Sequence, residues 1–302
     1  MATPTDAKAR AAATYNAASD HYDDPANAYW DRYGRRTVDR LVLRPGMRVL
    51  DVCCGSGASA LPAAEAVAPD GQVLGVDLAE KLLALARAKA QQRGLTNIEF
   101  RTGDMLDLGL SEAGFDAVVC VFGIFFVPDI PAAVRELWRF VAPGGALAIT
   151  TWGPRFVEPM GTAFWNAVRE EQPDLYRGFN PWDRITEPQA LSALFADAGL
   201  PAPSVIPESG SQPLRSPEDW WTIALGMGFR ATVDALDPEA RQRVRQANLA
   251  FIRDANVQAV ETNVIYATLT KGRWPSRGNP TCALRRPGRY DPQDRSIGRM
   301  SP

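Results

Sequence analysis

The sequence predicts an α/β fold: a doubly wound, parallel sheet with helices packed on it. Three observations carry that reading. Between residues 48 and 152, short apolar segments alternate with segments of helical periodicity, the pattern of successive βαβ units. The apolar segments are almost uninterrupted, as in Ala117-Val118-Val119-Cys120, which suits strands covered on both faces. Turn-forming residues such as Pro69-Asp70-Gly71 and Pro143-Gly144-Gly145 separate them. Each crossover is then expected to be right-handed.

In chain order, residues 1–25 are Ala-rich and then polar, and read as a loosely attached helix and turn. Trp30, Tyr33, Val38, Leu41 and Val42 recur at helical spacing and predict a helix over 26–43. Arg44-Pro45-Gly46 stops it. Strands are predicted at 48–52, 72–76, 97–101, 115–120 and 146–151. Helices are predicted at 58–67, 79–93 and 130–141. The second of these carries Leu82, Leu83, Leu85, Ala86 and Ala90 on one broad face, and Gly94 follows its end. Asp129 suits the N-cap of the third, with Pro131 in its first turn.

Beyond 152 the texture changes, and five of the eight Trp lie at 152, 165, 182, 220 and 221. Helices are expected at 160–171, at 187–198 with Thr186 as cap and Gly199 as stop, at 217–229 and at 238–255. Ser216-Pro217-Glu218-Asp219 and Asp237-Pro238 supply start signals for the last two. A strand is expected within 204–214, and a clearly alternating one over 260–270. Residues 272–302 hold seven Arg and five Pro without periodicity, and read as a disordered basic tail of charge about +5.

Composition narrows the function. A chain of 302 residues that is 46% hydrophobic and 23% charged has mass for a real core. A net charge of -2 excludes a globally basic nucleic-acid binder. No run reaches the roughly 18 apolar residues of a membrane span, and the N-terminus lacks a signal-like apolar run, so a cytoplasmic protein is expected. Four Cys are too few for a disulfide framework, and their spacing gives no metal site.

The segment that carries chemistry is Val49-Leu50-Asp51-Val52-Cys53-Cys54-Gly55-Ser56-Gly57, a glycine turn between a strand and a helix. Glycine there lets a ligand approach the backbone, and the helix start offers free N–H groups. Asp77 ends the second strand 20 residues after Gly57, where a carboxylate can accept from both hydroxyls of a ribose. Gly103-Asp104-Met105 follows the third strand, so three successive strand ends carry an acid. All of these belong to the C-terminal edge of a parallel sheet, where ligands bind. The loop continued as Ala58-Ser59-Ala60 also matches the G-x-G-x-x-A dinucleotide pattern, which keeps an NAD-type oxidoreductase as an alternative. Against it, Asp51 would repel a pyrophosphate but suits a cationic ligand, and that pattern has no use for Asp104.

Together these stretches resemble the class I S-adenosylmethionine-dependent methyltransferases. The matching segments are VLDVCCGSG at 49–57, VLGVDLAEKLLALARAKA at 73–90, NIEFRTGDM at 97–105, FDAVVCVFGIFFVPDIPAAVRELWRFVAPGGALAITTW at 115–152 and VIYATLTK at 264–271. The double cysteine before Gly55 is similar to that of the quinone-biosynthesis (ubiquinone and menaquinone) C-methyltransferases, in the type 11 group. Cys53 stands at the first glycine position of the family's loop.

The resemblance implies a Rossmann-like seven-stranded sheet with an antiparallel last strand. It implies an N-terminal segment, 1–45, covering the cofactor and a methyltransferase domain over 46–271, and because the strand at 260–270 must return to the sheet, a helical cap insertion is expected at about 155–255. The cofactor would be S-adenosyl-L-methionine, leaving S-adenosyl-L-homocysteine. By the same resemblance Asp51 lies near the methionine ammonium, and Cys53, Gly55 and Gly57 cradle the amino-acid part. Asp77 takes the ribose hydroxyls, Leu78 and Met105 flank the adenine, and Asp104 accepts from its amino group. The backbone at Val121 and Phe122 faces the transferring methyl.

For the acceptor, Phe125, Phe126, Trp152 and Trp182 are candidates for a pocket that takes a small, partly apolar or aromatic molecule. The loop Asn180-Pro181-Trp182-Asp183-Arg184 reads equally as a substrate lid or a plain turn. His21, the only histidine, and Tyr22 are the weak candidates for a catalytic base, set against a surface reading of both. The function expected is methyl transfer to a small molecule, with a non-catalytic cofactor-binding module as the alternative.

Overall fold

Residues 4–272 are described in the structure, a computed structural model. The basic tail expected at 272–302 lies, from 273 onward, outside the described residues.

The chain opens with α1 (Pro4–Ala18), a one-turn 3-10 helix (Pro25–Asn27) and α2 (Tyr29–Val38). The winding then runs β1 (Arg48–Val52), α3 (Ala60–Val67), β2 (Gln72–Asp77), α4 (Glu80–Gln92), β3 (Ile98–Thr102), β4 (Phe115–Val121), α5 (Ile130–Phe140) and β5 (Val141–Trp152). The second half contributes α6 (Met160–Glu171), α7 (Pro188–Asp197), β6 (Ser204–Glu208), β7 (Ser211–Pro213), α8 (Pro217–Leu225), α9 (Arg230–Ala235), α10 (Pro238–Asp254), β8 (Ala259–Glu261) and β9 (Val264–Thr270).

Seven strands form one sheet in the order β3-β2-β1-β4-β5-β9-β6. β1 pairs in parallel with β2 and β4, and β9 runs antiparallel between β5 and β6. The expected antiparallel last strand is therefore present. α3 and α4 lie over β1 to β3, while α5 and α7 pack together against β4, β5, β9 and β6. β1 and β4 are nearly free of solvent along their length, which is why they read as continuous apolar runs. Asp129 and Asp237 cap α5 and α10 through side-chain bonds to Ala132 N and Ala240 N.

Several elements differ from the sequence reading, each for a physical reason. α3 starts at Ala60 because the glycine turn absorbs residues 58 and 59. β5 starts at Val141, not 146. The strand runs through Pro143-Gly144-Gly145 by a register shift against β4, with Gly144 at φ 85°. The strand expected at 260–270 is two, β8 and β9, and 204–214 is likewise split into β6 and β7. Asn263 makes the break: its Oδ1 accepts from Gly210 N at 3.0 Å, and its Nδ2 donates to Pro154 O at 3.0 Å.

The helix expected over 217–229 ends at Leu225, because Asn27 and the His21 carbonyl press on Gly226, where a Cβ would meet Asn27 Nδ2 at 2.2 Å. Thr186 does not cap α7: Glu187 holds that position without a side-chain bond. Ser216 also makes no capping bond, and Asp219 accepts from Arg215 N instead. The stretch 155–255 is not wholly a cap, since α7 and β6 belong to the main sheet and the layer on it.

Candidate functional site

Strand order reverses direction between β1 and β4, and the carboxyl ends of strands flanking such a switch leave a crevice. An open cleft lies there. Cys53 and Gly55 after β1, Asp77 and Leu78 after β2, Gly103, Asp104 and Met105 after β3, and Val121, Phe122 and Gly123 at β4 line it. α1 closes one side with Lys8, Ala11, Ala12 and Tyr15, and Tyr22 and Trp30 complete the wall.

Two non-glycine residues at strand ends adopt left-handed backbone, Cys53 at φ 59° and Phe122 at φ 55°. Each such conformation costs roughly 1–2 kcal/mol and persists only where the surroundings enforce it. The enforcement is visible. Phe122 N donates to Thr150 O at 2.8 Å, and a Cβ on Gly123 would sit 2.4 Å from Cys53 Cβ. The loops after β1 and β4 thus meet across the floor of the cleft. The neighbouring Cys120 thiol, together with burial, holds the Cys53 pKa well above the usual thiol range. Cys53 carries a packing thiol rather than a nucleophile.

Asp77 is fixed by its own backbone neighbourhood. Oδ2 accepts from Gly55 N and Oδ1 from Ala79 N, both at 2.8 Å. Desolvation raises its pKa against the pull of these bonds. Each oxygen of this cleft-lining carboxylate keeps a further lone pair, the requirement for accepting from a vicinal diol. Asp104 accepts from Leu106 N at 3.0 Å and pairs with Lys8 of α1.

Asp51 lies beneath the glycine loop at 1% exposure and does not line the cleft. Its Oδ2 accepts from Ser59 Oγ at 2.7 Å, while its Oδ1 has no partner. Burial, with Asp77 nearby, pushes its carboxyl up to about 7. A buried carboxylate oxygen without a donor, beside backbone that a ligand can approach, fits an amino acid's ammonium group.

Five aromatic rings follow one another along the remaining wall. Phe126 meets Tyr15 edge-on at 5.6 Å, Tyr15 meets Tyr22 at 6.3 Å, Tyr22 stacks on Trp30 at 5.1 Å, and Trp30 meets Phe122 at 5.6 Å. Of the four acceptor-pocket candidates, only Phe126 lines the cleft. Trp152 is sandwiched between Phe122 and Phe156, both at 3.6 Å, and backs the wall from inside the core. Phe125 and Trp182 are buried against each other at 6.0 Å. Gly57 turns toward Leu61 of α3 and is not in the lining either.

His21 is outside the cleft. Its Nδ1 lies 2.7 Å from Asp20, which Arg230 holds from α9. Tyr22, in contrast, is in the wall. Sequence reasoning missed Lys8, Ala11, Ala12 and Tyr15. Their spacing of three, four and seven residues places them on one helical face, which was the available signal. The N-terminal segment is also tied to the glycine loop, because Ser56 Oγ donates to Asp23 at 2.6 Å and Lys89 Nζ donates to both.

Residues 180–184 form a pinned turn. Asn180 N donates to Asp183 at 2.7 Å, opening a 3-10 helix, Pro181–Ile185. The Arg184 guanidinium then donates to Phe125 O at 2.8 Å and Val127 O at 3.1 Å, fastening the loop that carries Phe126. Arg184→Ala is expected to cost about 1–2 kcal/mol, the range for a charged hydrogen bond discounted for exposure. It should lower the melting temperature by a few degrees and raise the acceptor KM, while calorimetric cofactor affinity stays within about twofold. A large loss of cofactor affinity would show that the loop serves the cofactor instead.

Comparison with known proteins agrees with this geometry. Residues 49–145 match the family described as a methyltransferase domain. The chain is 36% identical over 144 residues to nocamycin O-methyltransferase of Saccharothrix syringae, covering 48% of this chain and 50% of that one. It thus spans about half the length of that relative. It is 35% identical over 193 residues to demethylmenaquinone methyltransferase of Listeria monocytogenes serotype 4b, covering 59% of this chain and 80% of that one. Among solved structures, the YcgJ protein from Bacillus subtilis shares the fold with a TM-score of 0.53 and 18% identity, covering 80% of this chain and all of that one.

Proposed function

The chain belongs to the class I S-adenosylmethionine-dependent methyltransferases of the quinone-methyltransferase type, and from that premise we propose that its acceptor is a small, flat, partly apolar molecule. The observation that carries the acceptor class is the run of five aromatic rings, Phe126 to Phe122, beside the cofactor's loops. Such a wall favours a planar ring by offset and edge contacts.

When bound, S-adenosylmethionine supplies an electrophilic methyl group, and the chain's residues do the rest. In this reading Asp77 holds the ribose hydroxyls, Asp104 the adenine amino group between Leu78 and Met105, and Asp51 the ammonium through water. Cys53, Gly55 and Gly57 shape the loop, and the backbone of Val121 and Phe122 borders the reacting methyl. α1, Tyr22 and Trp30 exclude water, and catalysis is then mostly orientation in a dry site. No helix of the described residues is long and apolar enough to cross a membrane, and the same proposal places the enzyme in the cytoplasm.

The test joins calorimetry with labelled-methyl transfer to quinols, phenols, amines and carboxylates. Binding of S-adenosylmethionine with label on quinols or phenols is expected. Label on amines or carboxylates alone would overturn the acceptor class. Binding without any transfer would leave a cofactor-binding module.

A further inference from the structure

We propose that the acceptor is an acid already ionised when it enters the cleft, an acidic enol or phenol. This rests on the methyltransferase reading above and narrows its substrate.

The inference comes from the groups around the cleft. Six lining residues carry titratable side chains: Lys8 and Tyr15 on α1, Tyr22, Cys53 after β1, Asp77 after β2 and Asp104 after β3. None is free to take a proton from an acceptor. Each Asp77 oxygen accepts a backbone amide and, in the reading above, keeps its second lone pair for the ribose hydroxyls, and Asp104 is held by Lys8 and Leu106 N. The Cys53 thiol is kept protonated by its neighbour Cys120 and by burial. Desolvation keeps the Tyr15 and Tyr22 phenols protonated, Tyr15 further through nearby Asp77. His21 is turned to Asp20, and Asp51 lies beneath the loop.

The same wall is equipped for the opposite task. Tyr22, held protonated, offers an O–H donor, and its oxygen lies 3.1 Å from where a Cβ on cleft-lining Gly55 would sit. Trp30, 94% buried and lining the cleft, keeps an indole N–H without a partner. Aromatic ring edges carry partial positive charge. A site that offers donors and, among the described residues, no free base favours an oxyanion over a neutral hydroxyl.

With an anionic acceptor the step balances without a base. The acceptor's electron pair forms the new bond to the methyl carbon, and the S–CH3 bond breaks with its pair remaining on sulfur. One negative and one positive charge cancel, and no proton leaves. Attack through oxygen gives the ether, and attack through the conjugated carbon gives a keto form that enolises in water. An ordinary phenol, with a pKa near about 10, is under about 1% ionised at neutral pH, and a positioned base contributes about 10²–10⁴-fold that this cleft does not supply.

The experiment uses the full chain with 2-hydroxy-1,4-naphthoquinone, an acidic enol, a second hydroxyquinone of different acidity, and 1-naphthol as an ordinary phenol. Absorbance titration reads binding of the coloured anion, and labelled-methyl transfer reads turnover. We expect affinity to fall about tenfold per pH unit below each probe's own pKa, and the rate midpoint to move with the probe. Tyr22→Phe should weaken binding without moving that midpoint. One midpoint shared by both hydroxyquinones, a midpoint abolished by Tyr22→Phe, or 1-naphthol methylated as fast as the enols would overturn the proposal. So would failure of every acidic probe to bind while calorimetry shows S-adenosylmethionine bound, and the methyltransferase reading would then stand. Absence of S-adenosylmethionine binding would remove both.

Discussion

Asp77→Ala should weaken S-adenosylmethionine binding by at least about tenfold. In the proposed site the carboxylate accepts two charge-assisted bonds from a ribose diol, each worth about 1.5–3 kcal/mol before desolvation is discounted. About 1.4 kcal/mol is a factor of ten. The geometry makes the loss larger than the ribose bonds alone. Asp77 also accepts from Gly55 N and Ala79 N, and an unsatisfied amide costs about 1–3 kcal/mol. The variant should therefore loosen the glycine loop and melt earlier.

Asp77→Asn is not a gentle intermediate. Both carboxylate oxygens face backbone N–H donors, so one of them must meet the amide NH2, donor against donor. Its affinity should fall close to that of Asp77→Ala. Asp104→Asn should lose less, because the adenine amino group is a neutral donor and the amide oxygen can still accept from it. Calorimetry on the three variants, with melting curves beside it, decides the matter. An Asp77→Ala protein with unchanged affinity would remove the site reading.

The contrast between Asp77 and Lys8 shows what a sequence makes legible here. Asp77, Gly55 and Asp104 were readable because their positions follow from strand ends, and strand ends follow from apolar runs and turn residues, whereas Phe122 came from the family resemblance. The strand β9 was readable from its alternation, while its antiparallel direction followed from the family resemblance. Lys8 and Tyr15 were not singled out because α1 is Ala-rich with little amphipathic contrast, so only docking decides which face meets the cleft. Trp152 misled for a related reason. It does end β5 at the ligand edge, but Phe122 turns over it through a left-handed backbone and takes the cleft position. The break at Gly226 depends on Asn27, almost two hundred residues away, and no local signal encodes such an approach. The break within 260–270 likewise needs Asn263 to reach Gly210 and Pro154.

Asp51→Asn is expected to stabilise the free protein in mild alkali while weakening cofactor binding. The folded-state pKa of about 7 lies above the ordinary carboxylate value, so the native state binds the extra proton. Stability contributed by that proton is complete below the unfolded value and is lost as pH rises through about 7. At about 1.4 kcal/mol per pKa unit, the shift amounts to at most about 4 kcal/mol above neutrality. Asn does not ionise, and its carbonyl can keep the bond from Ser59. Its NH2 would inherit the unpartnered place of Oδ1, returning about 1–3 kcal/mol of the gain. A net gain of about 1–3 kcal/mol should raise the melting temperature near pH 8 by several degrees. Near pH 5 the advantage should vanish or reverse. Affinity should move the other way, because the neutral amide no longer meets an ammonium with opposite charge. In the parent, binding should also release a proton near neutral pH, visible as a buffer-dependent heat in calorimetry. Opposite signs in stability and affinity mark a group held in strain for its ligand. A melting difference that stays constant from pH 5 to 8, or an unaltered affinity, would mean that Asp51 is only a packed core residue.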